Sequence, residues 1–201
     1  MTMPRPFLVH RLARDASGVA AIEFAMIAPV LLALIMGIFD IGQMAYAKSV
    51  LHGAVQEAAR SASLESGNTT AADARVRTAV LPVLPKATFV SERSSYFDFA
   101  DVGRPEGWND ANDNDTCDNS ESFTDENGNG EWDADIGQSG NGGANDVVVY
   151  TVTVQYVPVF GIPGTTNRFG SRTLSASAIA KNQPFADQDN YGSTAGTCND
   201  P

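Results

Sequence analysis

Two short stretches of this 201-residue chain hold side chains in an order that chemistry can use. The first is Ser17-Gly18-Val19-Ala20-Ala21-Ile22-Glu23-Phe24, a glycine followed by an apolar run that carries one carboxylate. Glycine puts no side chain in the way of a protease and readily leaves the helical conformation. Glu23 is the sole ionisable group between Ala16 and Phe39. On insertion scales a charge at mid-bilayer costs roughly 2.5 to 3.5 kcal/mol, so Glu23 needs either a partner or a place near headgroups and water.

The second stretch is Asp125-Glu126-Asn127-Gly128-Asn129-Gly130-Glu131-Trp132-Asp133. Oxygen side chains at the first, third, fifth and ninth places and glycine at the sixth match the opening of a calcium loop. Asp125, Asn127, Asn129 and Asp133, with the Glu131 carbonyl, would surround a hard cation. The twelfth place is Ile136, not the bidentate Glu of an EF-hand, and no amphipathic helix follows. The expectation is therefore a structural calcium loop without flanking helices, of the weak extracellular type with Kd on the order of 0.1 to 1 mM. The simpler alternative is a solvated acidic turn. Asp113, Asp115 and Asp118 are candidates for a further shell or for completing this one.

Catalysis has little to draw on. The chain has no Gly-x-Ser-x-Gly elbow, no phosphate-binding Gly/Lys loop and no CxxC, and its two histidines, His10 and His52, lie far apart. No enzyme is expected. Cys117 and Cys198 form an even pair on the same side of the apolar run, and in an oxidising compartment they would bridge, tying the acidic region to the C-terminal tail. Two unpaired thiols are the alternative.

These residues must be positioned by a strongly partitioned chain. Arg5, Arg11 and Arg14 precede the apolar run, whereas Asp98 to Asp146 carries fourteen carboxylates against one base, Arg104, a net charge of −13. Such a block repels nucleic acid and attracts cations. Residues 16–39, as a helix rising about 1.5 Å per residue, cross a hydrocarbon core of roughly 30 Å. Basic residues before the span and acidic mass after it place the N-terminus in the cytoplasm and the bulk outside. A cleavable secretory signal is the competing reading, with Ala45-Tyr46-Ala47 as its loose cleavage site.

Apolar residues at helical spacing from Ile41 to Ala59 extend the helix past the membrane, so one rod is expected from Gly18 to Glu65, ending at Ser66-Gly67-Asn68 and interrupted only by Pro29. A short helix follows from Thr69 toward Leu81. Strands are expected at Ala87–Ser94, Asp146–Val157 and Arg172–Lys181, with a turn at Pro158–Gly164. Trp108–Gly143 lacks apolar periodicity and reads as a long loop. The fold class is α+β: a long N-terminal membrane-spanning helix followed by a small antiparallel-sheet periplasmic head with a long acidic loop. Its divisions are a leader at 1–18, a transmembrane plus amphipathic helix at 19–65 and a head at 66–201 with the acidic loop at 98–146.

A basic leader, Gly18, four small or apolar residues, Glu23, Phe24 and then a membrane helix make an arrangement that resembles type IV prepilins. With Ile27-Ala28-Pro29 it is most similar to the TadE/TadG branch of tight-adherence pilus proteins. The resemblance implies cleavage by a prepilin peptidase between Gly18 and Val19. Glu23 would then be the fifth residue of the mature chain, able to pair with the Val19 ammonium of a neighbouring subunit. It further implies a minor pilin or pseudopilin of a type IVc, Flp-type system. Such a protein sits in the bacterial inner membrane, partners other pilins and acts in pilus assembly and surface adhesion. The alternative is a permanently anchored periplasmic calcium-binding or adhesive module outside any pilus.

Overall fold

The computed structural model describes residues 18–64, 67–118, 120–159, 170–189 and 192–198. The leader with its basic residues, Glu65 and Ser66 at the expected helix stop, and most of the turn after Pro158 lie outside the described residues.

Helix α1 (Val19–Ala62) runs through Pro29 as one element of 44 residues, roughly 66 Å long. It ends three residues before the expected Glu65. Ser61 and Ser63 turn their hydroxyls back onto the carbonyls of Ala58 and Arg60, and the Ser63 N–H bonds Ala59 O at 3.1 Å, so the last turn closes on itself. Only its second half is covered. Asp40, Ala47, Leu51, Val55, Ala58, Ala59 and Ala62 are buried, a stripe at helical spacing. Val19 to Phe39, in contrast, presents Ile22, Phe24, Met26, Ile38 and Phe39 outward. This is one helix long and apolar enough to cross a membrane, with its most apolar window wholly exposed, which suits a single-pass anchor. Ala45-Tyr46-Ala47 lies inside α1 with Ala47 fully buried, so a signal cut there would sever the helix that fills the head.

Helix α2 (Thr69–Val80) is capped by Asn68, whose side chain accepts the Ala71 N–H at 2.9 Å. It packs Ala72, Val76 and Val80 inward, and Pro82 prevents its continuation.

The sheet contains β1 (Thr88–Tyr96), β3 (Gln138–Ser139), β4 (Val147–Tyr156) and β5 (Arg172–Lys181) in the order β3-β1-β4-β5, all antiparallel. Leu174 and Ala176 of β5 and Tyr150, Val152 and Val154 of β4 turn toward the helices. Thr173, Ser175 and Ser177 turn to water, the alternation of a sheet wet on one face. Alanines at 47, 58, 59 and 62 let α1 approach the sheet closely.

A second, two-stranded sheet pairs β2 (Ser122–Asp125) with β6 (Thr194–Thr197). Neither strand is expected from the sequence pattern, and the region 98–146 is not one loop. It contains β2, β3, a 3-10 turn at Phe99–Asp101 and a bridge from Trp108 to Phe123. Gly196 is required here, because a Cβ at that position would stand 2.4 Å from the Phe123 ring.

Two polar clusters fasten the layers. Arg93 lies 4.1 Å over the Tyr150 ring and donates to Asp73 at 2.6 Å, and the Tyr150 hydroxyl donates to Asp73 at 2.6 Å. Burial and the neighbouring Asp73 push the Tyr150 phenol up to about 12. Burial alone would raise Asp73, but the bonds from Arg93 and Tyr150 outweigh it and hold its carboxyl below the usual range. Because the folded-state value is depressed, this contribution is present above pH ~4 and fades as acid protonates Asp73.

The other cluster is the ion pair of Asp40 with Arg172, 2.5 Å apart with both side chains buried. It joins the start of β5 to α1 one residue after Phe39. Removing one partner leaves a buried charge uncompensated, so Arg172→Ala is expected to lower unfolding free energy by about 3 to 5 kcal/mol. Denaturant titration of the detergent-solubilised chain measures this, and replacing both residues by Leu should recover much of the loss.

Candidate functional site

At the N-terminal junction Gly18 has φ −79° and ψ −17°, so it keeps helical angles where the sequence suggested a departure from them. Any residue adopts those angles, and a Cβ at Gly18 would meet nothing within 4 Å. Nothing in the described fold therefore demands glycine at this position. Val19, Glu23 and Phe24 are all exposed on α1, and Glu23 has no ion-pair partner among the described residues of the single chain.

In the acidic lobe the structure brings Asp125, Asn127, Asn129 and Asp133 together. Asp125, buried at the end of β2, accepts the N–H groups of Gly128 at 2.6 Å, Asn129 at 3.2 Å and Gly130 at 2.9 Å. Asn127 and Asn129 accept the N–H groups of Asn129 and Glu131 and donate their amides to Asp133 Oδ2 at 2.7 and 2.5 Å. Gly128 and Gly130 have φ of +79° and +83°, the left-handed turns that the fourth and sixth places need. Ile136, at the twelfth place, is buried with Tyr96 and Val147 in a small second core. Packing occupies the position where an EF-hand carries its Glu.

The preceding segment repeats this design, which the sequence reading did not find. Asp110, Asn112, Asn114, Asp118 and Glu121 stand at the first, third, fifth, ninth and twelfth places of Asp110-Ala111-Asn112-Asp113-Asn114-Asp115-Thr116-Cys117-Asp118-Asn119-Ser120-Glu121. Asp110 accepts the N–H groups of Asn114 and Asp115 at 3.1 and 2.9 Å. These bonds, Asp115 foremost, hold its carboxyl below the usual range. Asn112 and Asn114 donate to Asp118 at 3.0 Å each. Asp113 and Asp115 have φ of +57° and +59°, at the places occupied by Gly128 and Gly130 in the second loop. The two loops meet across β2, where Glu121, Phe123 and Asp125 face inward and Ser122 and Thr124 outward. The signal was present as a spacing of 15 between Asp110 and Asp125; Asp115 in place of glycine concealed it.

Two further features hold the lobe. Glu106, fully buried, accepts the N–H groups of Glu126 at 2.7 Å, Asn127 at 3.3 Å and Asp133 at 3.2 Å, and Trp132 donates its indole N–H to the Glu106 carbonyl at 3.1 Å. Cys117 and Cys198 form a disulfide, and the Cys198 N–H bonds Glu121 O at 2.8 Å, fastening β6 beside the first loop. Arg104, the one base of the segment, is taken by Asp101 and bidentately by Glu126. Glu126, chiefly through that bond, raises its pKa. Glu106, Glu121 and Asp125 are thus buried without a basic partner among the described residues. No three His, Cys, Asp or Glu side chains converge as a metal cluster among those residues. The donors gathered in each loop are two Asp and two Asn, joined by Glu121 in the first.

A family model described as TadE-like protein matches residues 18–60. That segment is TadE-like. The match begins at Gly18, takes in Glu23 and Asp40, and ends two residues before α1 does, so it covers both the span and most of the helical stripe that fills the head. It relates this part of the chain to the tight-adherence pilus system and leaves the remainder of the head unmatched. No curated protein and no solved structure matches the chain.

Each N–H that Glu106 now receives would lose its acceptor on truncation, at about 1 to 3 kcal/mol per buried group. Glu106→Ala is therefore expected to open the 106–133 region to limited proteolysis while β4 and β5 stay protected from hydrogen exchange. Unchanged proteolysis would show that the loops hold themselves.

Proposed function

We propose that the protein is a minor pilin or pseudopilin of a tight-adherence pilus system, acting by association in assembly and adhesion and not by catalytic turnover. The observation that carries this reading is the TadE-like match beginning at Gly18, at a glycine for which the described fold has no use. The reading gives it one: a prepilin peptidase cuts after Gly18 in the inner membrane, with the leader in the cytoplasm and the head in the periplasm. The freed Val19 amine then offers a cation to Glu23 of a neighbouring pilin, offsetting the cost of a charge in the apolar segment. Ala20, Ala21, Ala25, Ala28, Ala33 and Gly37 provide the small surface on which membrane helices approach one another.

N-terminal sequencing of the mature protein tests the reading. A chain starting at Val19 is expected, and one retaining Arg14 sinks it in favour of a permanently anchored module. Glu23→Ala should insert normally yet co-purify less with other pilins.

We further propose that both acidic loops take calcium as a structural ion. The order of oxygen donors supports this, as do three buried carboxylates without a basic partner. Rotation of the Asn112, Asn114, Asn127 and Asn129 amides would turn oxygens toward the ninth-place aspartates, where amide N–H groups now meet them. A hard cation would then also gain the Thr116 or Glu131 carbonyl. Terbium luminescence excited through Trp132 and competed by calcium is the measurement. Asp125→Ala with Asp133→Ala should abolish the second-loop signal, and Asp110→Ala with Glu121→Gln should weaken binding at the first. No luminescence and no thermal stabilisation at millimolar calcium removes the proposal.

A further inference from the structure

The two ends of the head differ in charge, and their placement along α1 follows from four contacts. Asp40 of α1 pairs with Arg172 at the start of β5, and Gln43 donates to the Val83 carbonyl just beyond α2 at 3.3 Å. At the other end of the helix, Asn141 donates to the Ala62 carbonyl at 3.1 Å and the Gln183 N–H bonds Ser63 O at 2.9 Å. β5 therefore runs with α1, away from the apolar span, and β4 runs back toward it. The register agrees: Tyr156 pairs with Arg172 and Val147 with Lys181. The end of β4, the end of α2 and the start of β1, where Thr88 pairs with Gln155, consequently gather at the level where α1 leaves its apolar half.

What this anchor end exposes is apolar. Val157 is 71% exposed, Val159 69% and Leu81 41%, with exposed Pro82 and Pro85 and the cation Lys86 between them. Just before Asp40, α1 is apolar and exposed on every side, with Ile35, Met36, Ile38 and Phe39 outward. The carboxylates of 98–146 attach at the opposite end, between Tyr96 of β1 and Val147 of β4. A head held beside an anionic or zwitterionic surface would be built this way, with its repelled charge farthest away.

We propose that the anchor end of the head, through Leu81, Val157 and Val159, rests in the headgroup and acyl boundary of the membrane that α1 crosses. The occupant is lipid because the patch lies at the level where the exposed apolar half of α1 ends, and Lys86, an exposed charge beside it, is of the kind that reaches headgroups from an apolar base. The head thus stands on the bilayer at two places, α1 and the β4 end, which fixes its tilt. The proposal rests on the reading that residues 19–39 span a membrane.

The experiment keeps the two readings apart. Full-length chain is reconstituted into phosphatidylcholine vesicles with brominated acyl chains, with Val159→Trp as one variant and Phe24→Trp as the other. Trp108 and Trp132, in the acidic lobe, serve as an unquenched background. Emission of the indole added at 159 should fall at least about two-fold relative to unbrominated vesicles, as expected of a side chain in the acyl boundary. If the indole at 24 is quenched and the one at 159 is not, the seat on the lipid is wrong and the span stands. A blue-shifted, unquenched indole at 159 would mean that a protein surface covers the patch, which also overturns the proposal. If neither is quenched, the span itself fails.

Discussion

One helix has to serve two solvents. Apart from Glu23, the first half of α1 is apolar on every side and the second half is apolar on a stripe, and no break separates them. Helical hydrogen bonding continues from Val19 to Ala62 even past Pro29, which lacks a donor. The core of the head is therefore built on the extension of the anchor, and Leu51 and Val55 are at once residues of the rod and the centre of the globule. At the changeover stands Asp40, buried against Arg172. A carboxylate placed there ends the lipid-compatible run and, through its partner, fixes where β5 begins along the rod. The geometry of the sheet relative to the anchor follows from that pair and from the alanine stripe above it.

The two parts of the head are ordered by different forces. The four-stranded sheet and its helices close around Leu51, Val55, Val76, Val152 and Val154, so burial of apolar area dominates there. The acidic lobe has few such residues. Phe123, the edge-on Trp108–Trp132 pair 5.1 Å apart, and Ile136 are most of its apolar content. Its shape comes from backbone N–H groups collected by Asp110, Asp125 and Glu106, from a short β2–β6 pairing and from the disulfide. Folding such a segment concentrates negative charge, and Arg104 can neutralise little of it. That is why the lobe is the part of the molecule whose stability should depend most on the ionic surroundings.

The legibility of these parts in the sequence differs for the same reason. Val147 to Tyr156 and Arg172 to Lys181 alternate because one sheet face is buried and the other wet, and their limits could be read within a residue. The helix was legible from its stripe, although Ser61 and Ser63 close it earlier than Gly67 would suggest. β2 and β6 were not legible: Ser-Phe-Thr-Asp and Thr-Ala-Gly-Thr are too short to show a period, and each exists through a partner some 70 residues away. The bridge from Cys117 to Cys198 was expected, yet its consequence, a paired C-terminal strand, was not. In the acidic region one calcium-type loop stood out by its glycines. Its twin did not, because Asp113 and Asp115 take the left-handed conformation that aspartate tolerates and a glycine pattern overlooks.

The disulfide spans 81 residues of sequence, and within that interval lie the second acidic loop, β4 and β5. One central strand of the sheet, β4, and its edge neighbour β5 thus belong to a covalent ring, and the ring is tied to the anchor through everything before Cys117. A protease that nicks any single bond between the two cysteines opens the ring without releasing a fragment. Both cut ends remain attached to α1 and to the membrane, as in a chain mended in advance. The glycine- and asparagine-rich second loop, Asp125 to Asp133, is enclosed by this ring, whereas Asp110 to Thr116 precede it. In an oxidising setting the molecule can be cut in the second loop once and lose nothing.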